Sequence, residues 1–345
     1  MKNPLSARIG CINKWTSART RGRGDGGSPA AARGKGGGTT LFPLRSGVRE
    51  SRGQDCEKGK TEMFSAERYQ VLFMENPGPE GILHEGVNKY RVKRIKAGDT
   101  LEIEAFPIWD TVQQATEARR QSEKHREAVR AVNLRNTQKQ LRRLMNANFG
   151  AGDLLMTLTY APEEQPAFED EAQRDVRNFL RRLRKRREKL GLPALKYIYI
   201  TEMTEGANGR KRYHHHLIVN GGISRDEVEK LWKKGIANTK RAQPDAFALS
   251  GWAHYMSKQK KTQQKAYTRG FAHSKNLKQP KVTYADHKLS RAAMQQISQD
   301  MKTRGTEILE KLYPGYEVAE APQVRVSSYV SGGYLLCRMI RRKAP

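Results

Sequence analysis

The sequence predicts an α+β fold in which helices flank a central antiparallel sheet. Two hairpins and one helix carry that reading. Tyr197-Ile198-Tyr199-Ile200-Thr201-Glu202 reads as a strand, a turn spans Gly206 to Gly209, and Tyr213 to Asn220 returns as its partner. Val324 to Val330 and Tyr334 to Met339 repeat the pattern around Gly332-Gly333. Strands joined by such tight turns pair antiparallel. Between strand-like segments, Ala172, Val176, Phe179, Leu180 and Leu183 fall on one stripe at helical spacing.

In chain order, residues 1 to about 62 are rich in Gly, Arg, Ser and Lys. From Arg19 to Gly38 there is almost nothing to bury, which predicts a disordered basic arm. Gly34-Lys35 is a near miss to a phosphate-binding loop, with Pro29 and Gly36 where that motif needs Gly and a hydroxyl residue. No other segment comes closer, so no ATPase or helicase domain is expected. Arg68 to Met74 and Thr100 to Phe106 read as short strands, the second through the alternation Leu101-Glu102-Ile103-Glu104. Asp110 to about Asn148 lacks Pro and Gly and reads as one or two helices. Gly150 and Gly152 precede Leu154 to Tyr160, a short apolar strand ended by Pro162.

The stripe helix is expected from about Phe168 to Leu190. Asp170 and Glu171 suit its positive end, and Gly191 ends it. Ser224 caps a short helix to Trp232, with Glu227 at capping-box spacing. A helix from about Leu249 to Lys260 and a basic loop containing Pro280 follow. One long helix from Tyr284 to about Leu312, stopped by Pro314-Gly315, leads into the final hairpin.

Charge narrows the function. Lys and Arg number 65 against 36 Asp and Glu, a formal charge of +29 over 345 residues. Such a chain repels itself when alone and calls for a polyanion, nucleic acid before an anionic membrane. No segment approaches the ~20 consecutive apolar residues of a spanning helix, so no membrane role is expected. Cys11, Cys56 and Cys337 lie far apart. That excludes a disulfide framework and a cysteine zinc site, and with no apolar leader at the N-terminus it fits the cytoplasm.

The chemistry concentrates in three places. His214 and His216 share one face of their strand and His215 takes the other, because strand side chains alternate. Two imidazoles so placed, with Glu202 on the partner strand, form a mixed nitrogen and oxygen set for a divalent ion, Mn²⁺ more readily than Mg²⁺. A His pair alone fits a core-satisfied pair equally well; Glu202 is what points to metal. Tyr255 and Lys258 are three apart on a helix and so share a face. A phenol with a pKa near 10 becomes a useful nucleophile beside a cation and a metal-polarised electrophile. Arg181, Arg182, Arg184 and Lys185 crowd the helix face away from its stripe, and like charges at that density favour a polyanion over a merely solvated face. Arg269, Phe271, Lys275 and Lys278 interleave basic groups with an aromatic, a mixture that suits a single strand and also fits an ordinary surface loop.

These pieces, in this order, resemble the rolling-circle replication initiators of the HUH endonuclease class. The closer likeness is to plasmid and phage replication-associated proteins akin to filamentous-phage nicking-joining proteins. Met156-Thr157-Leu158-Thr159-Tyr160 is similar to the first strand motif, Tyr213-His214-His215-His216-Leu217-Ile218 to the His-hydrophobic-His motif, and Tyr255-Met256-Ser257-Lys258 to the Tyr-x-x-Lys motif. The likeness runs from about residue 66 to 339. Two departures stand out. His215 replaces an aliphatic, so a ligand pair shifted by one residue is the competing assignment. There is also one candidate Tyr, with Tyr267 twelve residues on.

The resemblance implies a five-stranded antiparallel sheet, a metal on Glu202, His214 and His216, and Tyr255 as nucleophile with Lys258 beside it. The activity implied is site-specific, metal-dependent nicking and joining of single-stranded or hairpin origin DNA through a 5′-phosphotyrosine link. A separate host helicase would open the duplex in a bacterial cytoplasm. The chain then divides into the arm (1–62), N-terminal strands with a helical extension (63–150), the nicking core (151–283), and a C-terminal helix and hairpin (284–345). A mobilisation relaxase or single-Tyr transposase would use the same chemistry. A non-catalytic origin-DNA-binding protein is the alternative of another class.

Overall fold

The computed structural model describes residues 89–108, 123–205, 209–258, 270–326 and 332–343, with Glu67, Gln70, Val71 and Met74 ahead of them. The basic arm, the near-miss loop, Arg269 and Tyr267 lie outside the described residues. Every described residue belongs to one unit of the chain, Thr39–Pro345.

Two five-stranded antiparallel sheets organise it. The first has the order β6-β3-β5-β4-β7, built from β3 (Leu154–Tyr160), β4 (Tyr197–Glu205), β5 (Lys211–Val219), β6 (Gly235–Arg241) and β7 (Ala272–His273). The second has the order β8-β1-β2-β10-β9, built from β1 (Lys89–Ala97), β2 (Thr100–Ile108), β8 (Lys281–Tyr284), β9 (Tyr316–Val326) and β10 (Gly333–Arg341). The expected five-stranded sheet is therefore present, joined by a second of equal strand number.

One face of the first sheet lies under α2 (Glu169–Lys189), whose stripe Ala172, Val176, Phe179, Leu180 and Leu183 is buried as its spacing predicts. Each such Val, Leu or Phe contributes roughly 1.5–3 kcal/mol when removed from water. Trp232, wholly buried, follows the short helix α3 (Arg225–Lys230) into the same core. Ser224 caps α3 by accepting from the Glu227 amide at 3.2 Å. The other face lies under α1 (Glu123–Asn148) and α4 (Ser250–Lys258), where Leu141, Leu144, Met145, Ala253 and Met256 meet Ile198, Ile200 and Ile218.

The second sheet packs α5 (Arg291–Gln299) and α6 (Thr306–Leu312) on one face through Met294, Ile297 and Leu309. Its other face meets α1 through charge. Glu102, 2% exposed, accepts from Arg142 at 2.9 Å and Arg143 at 2.7 Å. Glu104, equally buried, accepts from Lys139 at 2.6 Å and Arg143 at 3.1 Å. So α1 meets one sheet with hydrocarbon and the other with ion pairs.

Three sequence expectations are corrected. The expected long helix over 284–312 is two helices, because Asp300 hydrogen-bonds the amides of Lys302, Thr303 and Gly305 and ends the first of them. Gly305 sits at φ +79°, where a Cβ would come within 2.6 Å of Ile297. Gln70, Val71 and Met74 are helical where a strand was expected. The basic loop after Phe271 contributes two short strands, β7 and β8. No described helix is long and apolar enough to cross a membrane.

Candidate active site

Strand pairing assembles the site. Glu202 on β4 stands opposite His214 on β5, and Thr157 on β3 stands opposite His216. Alternation then puts Glu202, His214, His216 and Thr157 on the face covered by α1 and α4. His215 lies on the other face, completely buried. The one-residue shift is excluded: the pair that converges with Glu202 is His214 and His216.

Glu202 Oε2 lies 2.7 Å from His214 Nε2 and 3.2 Å from His216 Nε2. Glu202 and His216 are buried and His214 half-buried, so the cluster opens to solvent on the His214 side. Burial pushes the Glu202 carboxyl up, but the hydrogen bonds from both imidazoles outweigh it and hold the group at about 2. It is therefore an anion at neutral pH. One ligand atom from each of the three residues lies within 4.8 Å of the others. Thr157 Oγ1 faces His216 Nδ1 at 3.2 Å, which leaves Nε2 for the cluster. Two imidazole nitrogens and a carboxylate oxygen fit a divalent ion, and this is the one such group of three among the described residues.

Helix α4 brings the phenol. Ala253 and Met256 anchor it in the core, which turns Trp252 and Tyr255 toward β5. The Tyr255 ring stands edge-on to His216 at 5.3 Å and stacks on Trp252 at 4.9 Å, and it remains 42% exposed. Residues 153–260 match the family model for the replication-associated protein ORF2. That segment contains Glu202, His214, His216 and Tyr255 and every strand of the first sheet but β7. The match supports a replication-initiator class. No curated protein and no solved structure matches the chain.

The remaining expected site residues are spread over the first sheet. Lys258 closes α4 three positions after Tyr255. Phe271 is half-buried against the α1–α4 core, 6.0 Å from the His273 ring, at a cleft of about 280 Å³ shared with Leu134, Leu141, Ile200 and Ser257. Lys275 and Lys278 are exposed, but their loop is held. Ser274 bonds Tyr197, Asn276 bonds the Leu195 carbonyl, and Asn148 clamps the Lys278 backbone from both sides. Arg181, Arg182, Arg184 and Lys185 are on α2, across the sheet from Glu202 and the imidazoles. Arg181 and Lys185 are exposed and Arg184 half-exposed. Arg182 donates to the carbonyls of Leu231 and Trp232 at 2.9 and 3.0 Å and so ties α2 to the end of α3.

Sequence reasoning missed Thr157 and Trp252. Thr157 was legible in principle, because Met156-Thr157-Leu158 alternates and only Thr157 has the parity of His216. Trp252 was read as a core anchor. It is half-buried, stacks on Tyr255, and its indole N–H has no acceptor among the described residues.

Proposed function

We propose that this face is the nicking and joining centre of a rolling-circle replication initiator that acts on single-stranded origin DNA. One observation carries the reading: a half-exposed Tyr packed against a buried Glu-His-His cluster, inside the segment that matches a replication-associated family.

The Tyr255 oxygen attacks the scissile phosphorus in line. A phenolic O–P bond forms and the P–O3′ bond breaks. The phenolic proton is passed on, and the departing 3′ oxygen ends as a hydroxyl able to prime synthesis. Rejoining runs the same exchange backwards, so no nucleotide is consumed. A divalent ion on Glu202, His214 and His216 supplies Lewis-acid polarisation of the phosphate when bound. Thr157 holds the His216 ring, Trp252 holds the phenol, and Lys258 meets phosphate charge from the same helix as Tyr255. Lys275, Lys278, Arg269 and Phe271 take the strand near the β7 edge. Arg181, Arg184 and Lys185 add sequence-independent phosphate contacts on the far face, with Arg182 contributing its charge from a fixed position. Strand separation falls to a separate helicase.

The test is incubation of the full chain with single-stranded oligonucleotides from the cognate origin, with Mn²⁺, with Mg²⁺ and with chelator. A denaturant-stable protein–DNA adduct that needs the ion supports the reading. Tight binding without cleavage under all three conditions would leave an origin-binding protein only.

A further inference from the structure

His215 occupies the position where the His-hydrophobic-His pattern has an aliphatic. It points into the core beneath α2, away from the candidate ligands, yet both ring nitrogens are engaged. Nδ1 lies 2.9 Å from Thr201 Oγ1 and Nε2 lies 3.0 Å from the Tyr160 hydroxyl. The chain of bonds continues in both directions. Gln173 Nε2 donates to Thr201 Oγ1 at 3.0 Å, and the Tyr199 hydroxyl donates to Gln173 Oε1 at 3.0 Å. Beyond His215, the Tyr160 hydroxyl donates toward Asp175 and the Ala172 carbonyl.

These bonds have one consistent direction. Tyr199 uses its proton on the Gln173 oxygen, which turns the amide NH₂ toward Thr201. Thr201, already accepting, sends its own proton to His215 Nδ1. His215 must then carry its hydrogen on Nε2 and donate to Tyr160. The path leaves α2 at Gln173, crosses β4, β5 and β3, and returns to α2 at Ala172 and Asp175. It is a closed ring through the three strands that supply Glu202, His214, His216 and Thr157. Thr201 adjoins Glu202, and His215 separates the two imidazoles.

We infer that His215 is a positioning residue: this closed polar ring fixes the mutual offset of β3, β5 and β4, and so the convergence of the three candidate ligands on the opposite face. An aliphatic side chain would fill the same space and stay indifferent to small sliding. The ring is satisfied at one offset only, and a one-residue slip would turn every ligand away. This rests on the metal-site reading of Glu202, His214 and His216.

The test compares the full chain with His215→Leu, Tyr160→Phe and their double variant. Mn²⁺ affinity is measured by calorimetry and by electron paramagnetic resonance, and thermal unfolding is followed without metal. Val228→Ala, buried in the same core but outside the ring, serves as the control for plain destabilisation. Each single variant is expected to weaken Mn²⁺ about tenfold, as other groups that orient a metal's ligands do. The double variant should lose no more than the worse single one, and Val228→Ala should bind normally even where its melting point falls further. Long-range ¹⁵N spectra of the metal-free protein should show His215 as the Nε2–H tautomer. An Nδ1–H tautomer, unchanged Mn²⁺ affinity in both single variants, or equal weakening in Val228→Ala would overturn the inference. A wild-type chain that takes up no Mn²⁺ would defeat the metal-site reading, and the inference with it.

Discussion

Glu102→Gln tests the ionic side of α1. The change keeps volume and removes one charge. Glu102 gives one oxygen to the Nε–Nη2 edge of each arginine, Arg142 at 3.2 and 2.9 Å and Arg143 at 2.9 and 2.7 Å. Its carboxyl is pushed up by burial and pulled below the usual range by Arg143 and Arg142. Removing that charge leaves two largely buried guanidinium groups facing a neutral amide, which costs about 3–5 kcal/mol. Total stabilities are about 5–15 kcal/mol. At roughly 2–4 °C per kcal/mol the melting point should fall by about 6 °C or more. Urea and thermal unfolding followed by circular dichroism measure it. Asp286→Asn, which breaks the more exposed Arg91–Asp286 pair at 3.0 Å, should cost about 1 kcal/mol or less. The Glu102→Gln variant should also lose stability less steeply in acid. With the native pKa lowered, the unfolded Glu102 takes up its proton first below about pH 4.5, which favours unfolding as pH falls. A Glu102→Gln loss no larger than that of Asp286→Asn would refute the view that α1 meets the second sheet through desolvated ion pairs.

Tyr255→Phe should abolish the covalent DNA adduct and leave DNA binding within about twofold; a persisting adduct would move attention to Tyr267. His214→Ala and His216→Ala should each remove both ion-dependent nicking and Mn²⁺ uptake, measured on the same preparations. Burial and the two neighbouring imidazoles hold His215 down at about 3. The unfolded chain then binds the extra proton below about pH 6.5, so stability should fall on acidification toward pH 3 by up to about 1.4 kcal/mol per unit, and His215→Leu should lack that slope. Arg181→Glu with Lys185→Glu should weaken origin and random DNA alike, and lower the slope of log affinity against log salt by roughly 0.7 for each lost single-strand contact; an unchanged slope would remove α2 from the DNA path.

What the sequence made legible follows from periodicity. The stripe of α2 and the alternation of β5 each leave one arrangement that buries apolar surface, so the parity of His214 and His216 could be read directly. Strand β6 was not legible. Five of its seven residues are exposed, and backbone pairing with β3 at the sheet edge defines it. Leu101-Glu102-Ile103-Glu104 was read correctly as a strand, but alternation predicts that the glutamates face water. They are buried because Lys139, Arg142 and Arg143, from a helix with no clear apolar stripe, neutralise them. Pairings between β2 and β10 join residues far apart in the chain, and no local pattern announces them. The role of His215 was hidden for a related reason: its partners come from three other elements.

The second sheet has a temporal consequence. Its inner strand β10 lies between β2 and β9, yet it is the last strand in the sequence and pairs with β2 roughly 200 residues upstream. At ~5–20 residues per second, a ribosome takes roughly 10–40 s to supply it after β2 has emerged. During that interval one backbone edge of β2, carrying Leu101, Ile103 and Ala105, has no strand to close it, while every strand of the first sheet is already made. A nascent chain interrupted before Gly333 therefore lacks the middle of a sheet, where an ordinary C-terminal truncation would remove only a fringe. The young polypeptide needs either a chaperone at that edge or rapid completion.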